Sequence, residues 1–207
     1  MSGATVFVNP LKVGPTVVVA PVGEADGSRG AAAALACAGA EVDLPALLLD
    51  VGGRPPRPAL LASAAARKLE ERLEAHLPDA RVAARGQVCH IAVPAEAEGI
   101  GAAAAAIDVA RGATAVLHVP PGLLQEALEG ELDLRPTGVL LRADLPADRP
   151  LVALAVRDLL LRDLAVAVLK QRLSWVAERR ALFGALPAGA PGGLSERFAA
   201  RLLRTPR

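Results

Sequence analysis

The sequence predicts an α/β domain built on a mostly parallel sheet of about five strands, with helices covering both faces. Three observations predict it. Five short apolar runs alternate with helical segments along the chain. The runs VVVA, ALLL and GVLL are continuously apolar, as in strands buried on both faces. The first run also passes through a glycine-rich loop into an alanine tract, PVGEADGSRGAAAALA at 21–36, which is the order strand, turn, helix.

The elements follow in order. ATVFV at 4–8 adds an edge strand, set apart from the next run by Asn9, Pro10, Gly14 and Pro15. TVVVAPV at 16–22 is the first buried strand. AAAALACAGA is helical, because alanine is the strongest helix former, and Gly39 is its stop. LPALLLD is the second strand and ends at Asp50; Pro55, Pro56 and Pro58 prevent further ladder pairing. From Ala59 to His76 the pattern is amphipathic, with Leu61, Leu69, Leu73 and Leu77 near one side. GQVCHIAVP is the third strand, EGIGAAAAAIDVARG a helix and ATAVLHVP the fourth strand. LLQEALEGEL is a short helix and PTGVLLRADLP the fifth strand. A long helical stretch then runs from Asp148 towards Leu186, with Asp158 and Arg162 as an i,i+4 pair and Trp175 as a packing anchor.

The domain expected from this pattern spans 1–186, PAGAPGG at 187–193 is a linker, and 194–207 is a C-terminal helix. Leu194, Phe198 and Leu202 lie one turn apart in that helix, among Arg197, Arg201 and Arg204. Docking back on the domain, binding a partner and lying on a membrane surface are three open readings of it.

Composition narrows the function classes. Of 207 residues, 53% are hydrophobic and 2% aromatic, so the core is built from Ala, Val and Leu. Basic and acidic residues number 23 and 22, a balance that gives no field for nucleic acid. Cys37 and Cys89 form neither a CxxC motif nor a disulfide framework, which points to buried thiols in a reducing cytoplasm. The N-terminus lacks the basic-then-apolar order of a secretion signal. The greasiest window, 151–169, carries Arg157, Asp158, Arg162 and Asp163, so no transmembrane segment is expected.

The loop at 23–30 is the chief chemical candidate. A Walker loop needs curled glycine N–H groups, a lysine for the outer phosphates and a hydroxyl for magnesium. Counting from Gly23, serine stands in place of the second glycine, Arg29 in place of lysine, and Gly30 where the hydroxyl belongs. Two readings are open: an anion or nucleotide site without efficient hydrolysis, and a structural strand-to-helix crossover. A dinucleotide fingerprint is the weaker alternative. Gly23, Gly27 and Gly30 do not form GxGxxG, although Asp50 lies where a ribose-binding acid would.

The anion-site candidates are therefore Gly23, Gly27, Ser28, Arg29 and Gly30, with Asp50, His118 and Asp144 at other strand ends, where parallel sheets place ligands. No spacing shows that His118 and the two aspartates converge, so no metal site is assigned. Cys89 and His90 point to opposite faces of one strand and form no local dyad. Neither GxSxG nor HExxH occurs, and no catalytic residue is assigned.

APVGEADGSRGAAAALA followed by LPALLLDVGG resembles the beginning of the MinD/ParA-type P-loop ATPases, including their pilus-assembly members. AVLHVPPGLL at 115–124 resembles their second motif, with His118 where a magnesium-positioning aspartate is expected, and the likeness spans 16–170. The resemblance implies a P-loop-NTPase-like fold. Such ATPases use nucleotide-dependent dimerisation to position cargo; without the lysine and aspartate, an inactive or altered version is implied here. The expectation is a non-catalytic interaction or regulatory protein in positioning or assembly of a larger machine, with a protein partner or homodimer. No cofactor is expected beyond weak ATP or ADP binding. The alternative is an enzyme for a phosphorylated ligand, with Arg29 as charge partner.

Overall fold

The computed structural model describes residues 14–23, 27–40, 44–54, 61–129, 134, 136–143, 149–162, 164–170 and 183–185. Its elements are β1 (Thr16–Pro21), α1 (Ser28–Gly39), β2 (Ala46–Val51), α2 (Ala64–His76), β3 (Arg81–Arg85), β4 (Val88–Val93), α3 (Ala97–Val109), β5 (Ala115–His118), α4 (Leu124–Glu129), β6 (Gly138–Ala143), α5 (Arg149–Leu161), β7 (Ala165–Lys170) and β8 (Phe183–Ala185). The strands form one sheet in the order β3-β4-β2-β5-β1-β6-β7-β8. All neighbours pair in parallel except β3 and β4.

The mostly parallel α/β architecture matches the sequence expectation, and the sheet is larger than the five strands foreseen. β3 was hidden in a short segment bounded by arginines. It folds back on β4 through Gly86 and Gln87, and Gly86 takes the positive φ of 58° that this two-residue turn requires. The expected long helix from Asp148 to Leu186 is corrected. α5 ends at Leu161, and the apolar run AVAVLK becomes β7 beside β6. A short, continuously apolar run of this kind has no periodicity that distinguishes strand from helix. The Asp158–Arg162 pair does form, with Arg162 Nε 3.2 Å from Asp158 Oδ2. The ATVFV strand, Trp175, the linker and the C-terminal helix lie outside the described residues.

Strand parity divides the core in two. Leu47, Leu49, Cys89, Ile91, Leu117 and Leu141 face α2, α3, α4 and α5, which contribute Leu69, Leu73, Ile100, Ala103, Ala127, Val152 and Leu159. Val17, Val19, Leu48, Val116 and Leu140 face the other way, against Ala31, Ala32, Leu35 and Ala36 of α1. Two expectations are corrected here. Cys37 is exposed, because α1 turns its 31, 32, 35, 36 stripe to the sheet and position 37 lies off it. Leu61 is also exposed, because α2 begins only after Ser63, whose Oγ accepts from the Ala66 N–H at 3.1 Å as an N-cap.

Candidate functional site

The site grows from three strand-to-turn junctions at the carboxyl edge of the sheet. β2 and β5 are neighbours, and Asp50 is in register with His118. Each lies two residues beyond a side chain facing α1, Leu48 and Val116, so period-two parity sends both towards that helix. β1 leads through the loop to Gly27, whose φ of 85° is left-handed, and α1 starts at Ser28. The first residue of α1 therefore arrives above the paired strand ends.

Their side chains form a continuous hydrogen-bonded line. Ser28 Oγ lies 2.9 Å from His118 Nε2, and His118 Nδ1 lies 2.9 Å from Asp50 Oδ1. All three residues are at least nine-tenths buried, with exposures of 7, 3 and 8%. Arg29 Nε donates to the same Asp50 oxygen at 3.1 Å, and its Nη2 donates to the Gly52 carbonyl at 2.7 Å. Burial alone would raise the Asp50 carboxyl. The hydrogen bond and charge of His118, joined by those of Arg29, outweigh it and hold the group below the ordinary carboxylate value.

An ionised Asp50 is an acceptor only, so Nδ1 of His118 carries the hydrogen towards it. With the imidazole neutral, Nε2 accepts from the Ser28 O–H; with the imidazole protonated, Nε2 donates to Ser28 Oγ. The N–H groups of Ser28, Arg29 and Gly30 occupy the first turn of α1 and have no carbonyl partner within the helix; the first such bond runs from Ala31 N to Gly27 O at 3.0 Å.

A groove of about 1080 Å³ opens beside the line. His118, Asp50 and Gly30 border it, together with the apolar Leu48, Val88 and Ala33 and the charged Arg54 and Arg85. His90 borders the same groove, opposite in direction to the core residue Cys89. Its Nε2 is buried with no hydrogen-bond partner among the described residues, and burial pushes its pKa down, with the Asp50 charge opposing.

Of the residues singled out in the sequence, Ser28, Arg29, Asp50 and His118 converge. Gly27 supplies the left-handed turn before the helix, and Gly30 borders the groove. Gly23 also has positive φ, at 62°, and lies in a separate depression with Leu124 and Leu151. Asp144 lies outside the described residues. Sequence reasoning missed Gly52, whose carbonyl receives Arg29, and the line itself. The available signal was parity: two polar residues at the ends of buried runs, each in phase with a leucine or valine. Among the described residues, no group of three His, Cys, Asp or Glu is placed to hold a metal ion. No helix among them is long and apolar enough to cross a membrane.

No family model and no curated protein matches the chain. Solved structures do. The chain is similar to a ParA family ATPase from Chlorobium tepidum TLS, with a TM-score of 0.56 and 12% identity, covering 91% of this chain and 97% of that one. It is equally similar to a plasmid partition protein from Borrelia burgdorferi, with a TM-score of 0.56 and 12% identity, over 93% of this chain and 97% of that one. The fold thus resembles that of ParA-type P-loop ATPases, at low sequence identity and over most of the chain.

Proposed function

We propose that this protein is a P-loop-like interaction or regulatory protein that does not hydrolyse nucleotide. One observation carries the reading: the groups at the carboxyl edge of the sheet bond to one another. In a P-loop the helix opens with a lysine and a hydroxyl directed to phosphate and magnesium. Gly27 hands the loop to α1 here, so the positional comparison runs from Val22 and is one residue earlier than the count from Gly23. It puts Ser28 in the lysine's place and Arg29 in that of the hydroxyl. Ser28 turns to His118, and Arg29 turns back to Asp50 and Gly52. The charge that would meet a phosphate is committed to a carboxylate. Asp50 itself adds a negative charge where an anion would sit.

The interaction half of the reading is supported by α5, where Leu151, Leu154, Leu160 and Leu161 are each more than half exposed. A protein partner or a second copy in the cytoplasm suits such a surface better than water does. A phosphate-ligand enzyme is the second reading, favoured by the buried Arg142, whose Nε lies 3.6 Å from where a Cβ on Gly27 would stand.

Calorimetric titration with ATP, ADP and inorganic phosphate, with and without magnesium, tests both. The expected result is binding weaker than about 0.1 mM with no gain from magnesium. Micromolar, magnesium-dependent ATP binding, or turnover near one per second that is lost in Arg29→Ala, overturns the non-hydrolysing assignment. Tight phosphate binding lost in Arg142→Ala establishes the second reading instead.

A further inference from the structure

We infer that Ser28 is a base-activated nucleophile for acyl transfer, with His118 as its general base and Asp50 as the residue that positions the imidazole. The inference is independent of the nucleotide reading, since it concerns covalent chemistry on a carboxylic ester. It rests on an arrangement that does not follow from the fold: a hydroxyl, an imidazole and a carboxylate from three separate chain segments, joined by two contacts of 2.9 Å in the order serine, Nε2, Nδ1, carboxylate. The reaction needs one ring nitrogen facing the hydroxyl while the other donates to the carboxylate, and both contacts are present.

Two surroundings complete the site. Ser28 is the first residue of α1, so the N–H groups of Arg29 and Gly30, which follow it in the first turn, have no helical partners. Such amides at a helix start stabilise an oxyanion developing beside the nucleophile. The groove bordered by His118 and Gly30 is also lined by Ala33, Leu48 and Val88, apolar side chains that suit an aliphatic acyl chain. The substrate class is therefore a carboxylic ester whose acyl part is aliphatic. Arg29 bonds to the same Asp50 oxygen at 3.1 Å and joins His118 in holding the carboxyl below its ordinary value against the opposing effect of burial.

The chemistry balances with water as co-reactant. Ser28 Oγ adds to the ester carbonyl carbon while its proton passes to His118 Nε2. The tetrahedral adduct expels the alkoxide, which takes that proton from His118 and leaves as the alcohol, giving acyl-Ser28. Water then adds to the acyl carbon as its proton passes to Nε2. The C–Oγ bond breaks, the proton returns to Oγ, and the carboxylic acid departs.

The test uses the full chain with an alkyl fluorophosphonate and with p-nitrophenyl butyrate. The expected result is a single phosphonyl adduct, located by peptide mass spectrometry on Ser28, and ester hydrolysis reduced at least about 100-fold in Ser28→Ala and in His118→Ala. Asp50→Asn is expected to lower kcat by about 100-fold or more while KM stays within twofold, a split that loss of folded protein does not produce. Circular dichroism and cooperative unfolding establish that each protein is folded. Absence of an adduct on Ser28 in the folded wild-type chain overturns the proposal, and so does hydrolysis that survives unchanged in Ser28→Ala.

Discussion

At the residue scale, the two thiols and the half-buried His90 show how position on an element sets chemistry. Cys89 lies on the core face of β4, where burial, with Glu70 and Glu74 adding negative charge, pushes its thiol up to about 12. Cys37 is on the outward side of α1. Titration of the native protein with an aromatic disulfide at pH 8 is therefore expected to modify Cys37 alone, and both thiols after unfolding. Rapid modification of Cys89 in the native state would contradict its placement. His90 makes a second case. Its pKa in the folded chain lies below the ordinary 6.5, so the unfolded chain binds the extra proton as pH falls through that value. Stability is then lost below pH 6.5. Asp50, depressed in the folded state, adds a further loss only as pH drops below 3.8 towards its folded value. Since Nε2 of His90 has no partner to forfeit, His90→Leu should flatten the first of these losses without lowering stability at pH 8. Denaturant melts between pH 8 and pH 5 decide it; an unchanged slope in His90→Leu would assign the acid loss elsewhere.

At the scale of elements, the turn after β2 is where the sequence holds most of the site's geometry. Gly52 has φ of 67°, its N–H donates to Val93 O at 2.9 Å, and its carbonyl receives Arg29. Gly53 lies so close to the preceding carboxylate that an added Cβ would stand 2.2 Å from Asp50 Oδ2 and 2.8 Å from Asp50 Cβ. Gly53→Ala must move Asp50, and with it the bond to His118. We expect a loss of about 1–3 kcal/mol in denaturant unfolding and the disappearance of the low-field imidazole N–H proton resonance in NMR spectra. An unaltered spectrum would mean that the turn can yield without Asp50. The stop after β2 was legible in Pro55, Pro56 and Pro58, and Asp50 and His118 were legible as strand-end residues. Their meeting was not, because strand adjacency in a parallel sheet is set by long crossovers and not by local pattern. β7 failed to register for a related reason: LAVAVLK follows a true helix, and its continuous run of apolar residues has no polar positions to mark a period.

At the scale of the whole molecule, the sheet order makes stability unequal across the fold. β5 is four residues long, yet it lies between β2 and β1, and Val116 and Leu117 are fully buried against opposite faces. Its amides can open only if both flanking strands and both helical layers part. β3 is in the opposite situation. It pairs with β4 alone, runs antiparallel at the edge and carries exposed Arg81 and Arg85 at its ends, charges that also discourage pairing with a second sheet. α2 covers one side of it, with the Glu70 carboxylate accepting from the Ala84 N–H at 2.9 Å, while Ala83 lines the open groove on the other. Native-state hydrogen exchange is therefore expected to place β1, β2 and β5 in the slowest class, exchanging through global unfolding, with β3 on the order of a hundredfold faster through local opening. Added denaturant should accelerate the slow class steeply and leave β3 nearly unaffected, because little surface is exposed when an edge strand lifts. Equal rates and equal denaturant slopes for β3 and β5 would show instead that the edge hairpin is locked into the same cooperative unit as the centre. The site would share the stability of the centre, since Asp50 and His118 lie in the last two residues of β2 and β5, two of the three strands on which the slowest exchange is expected.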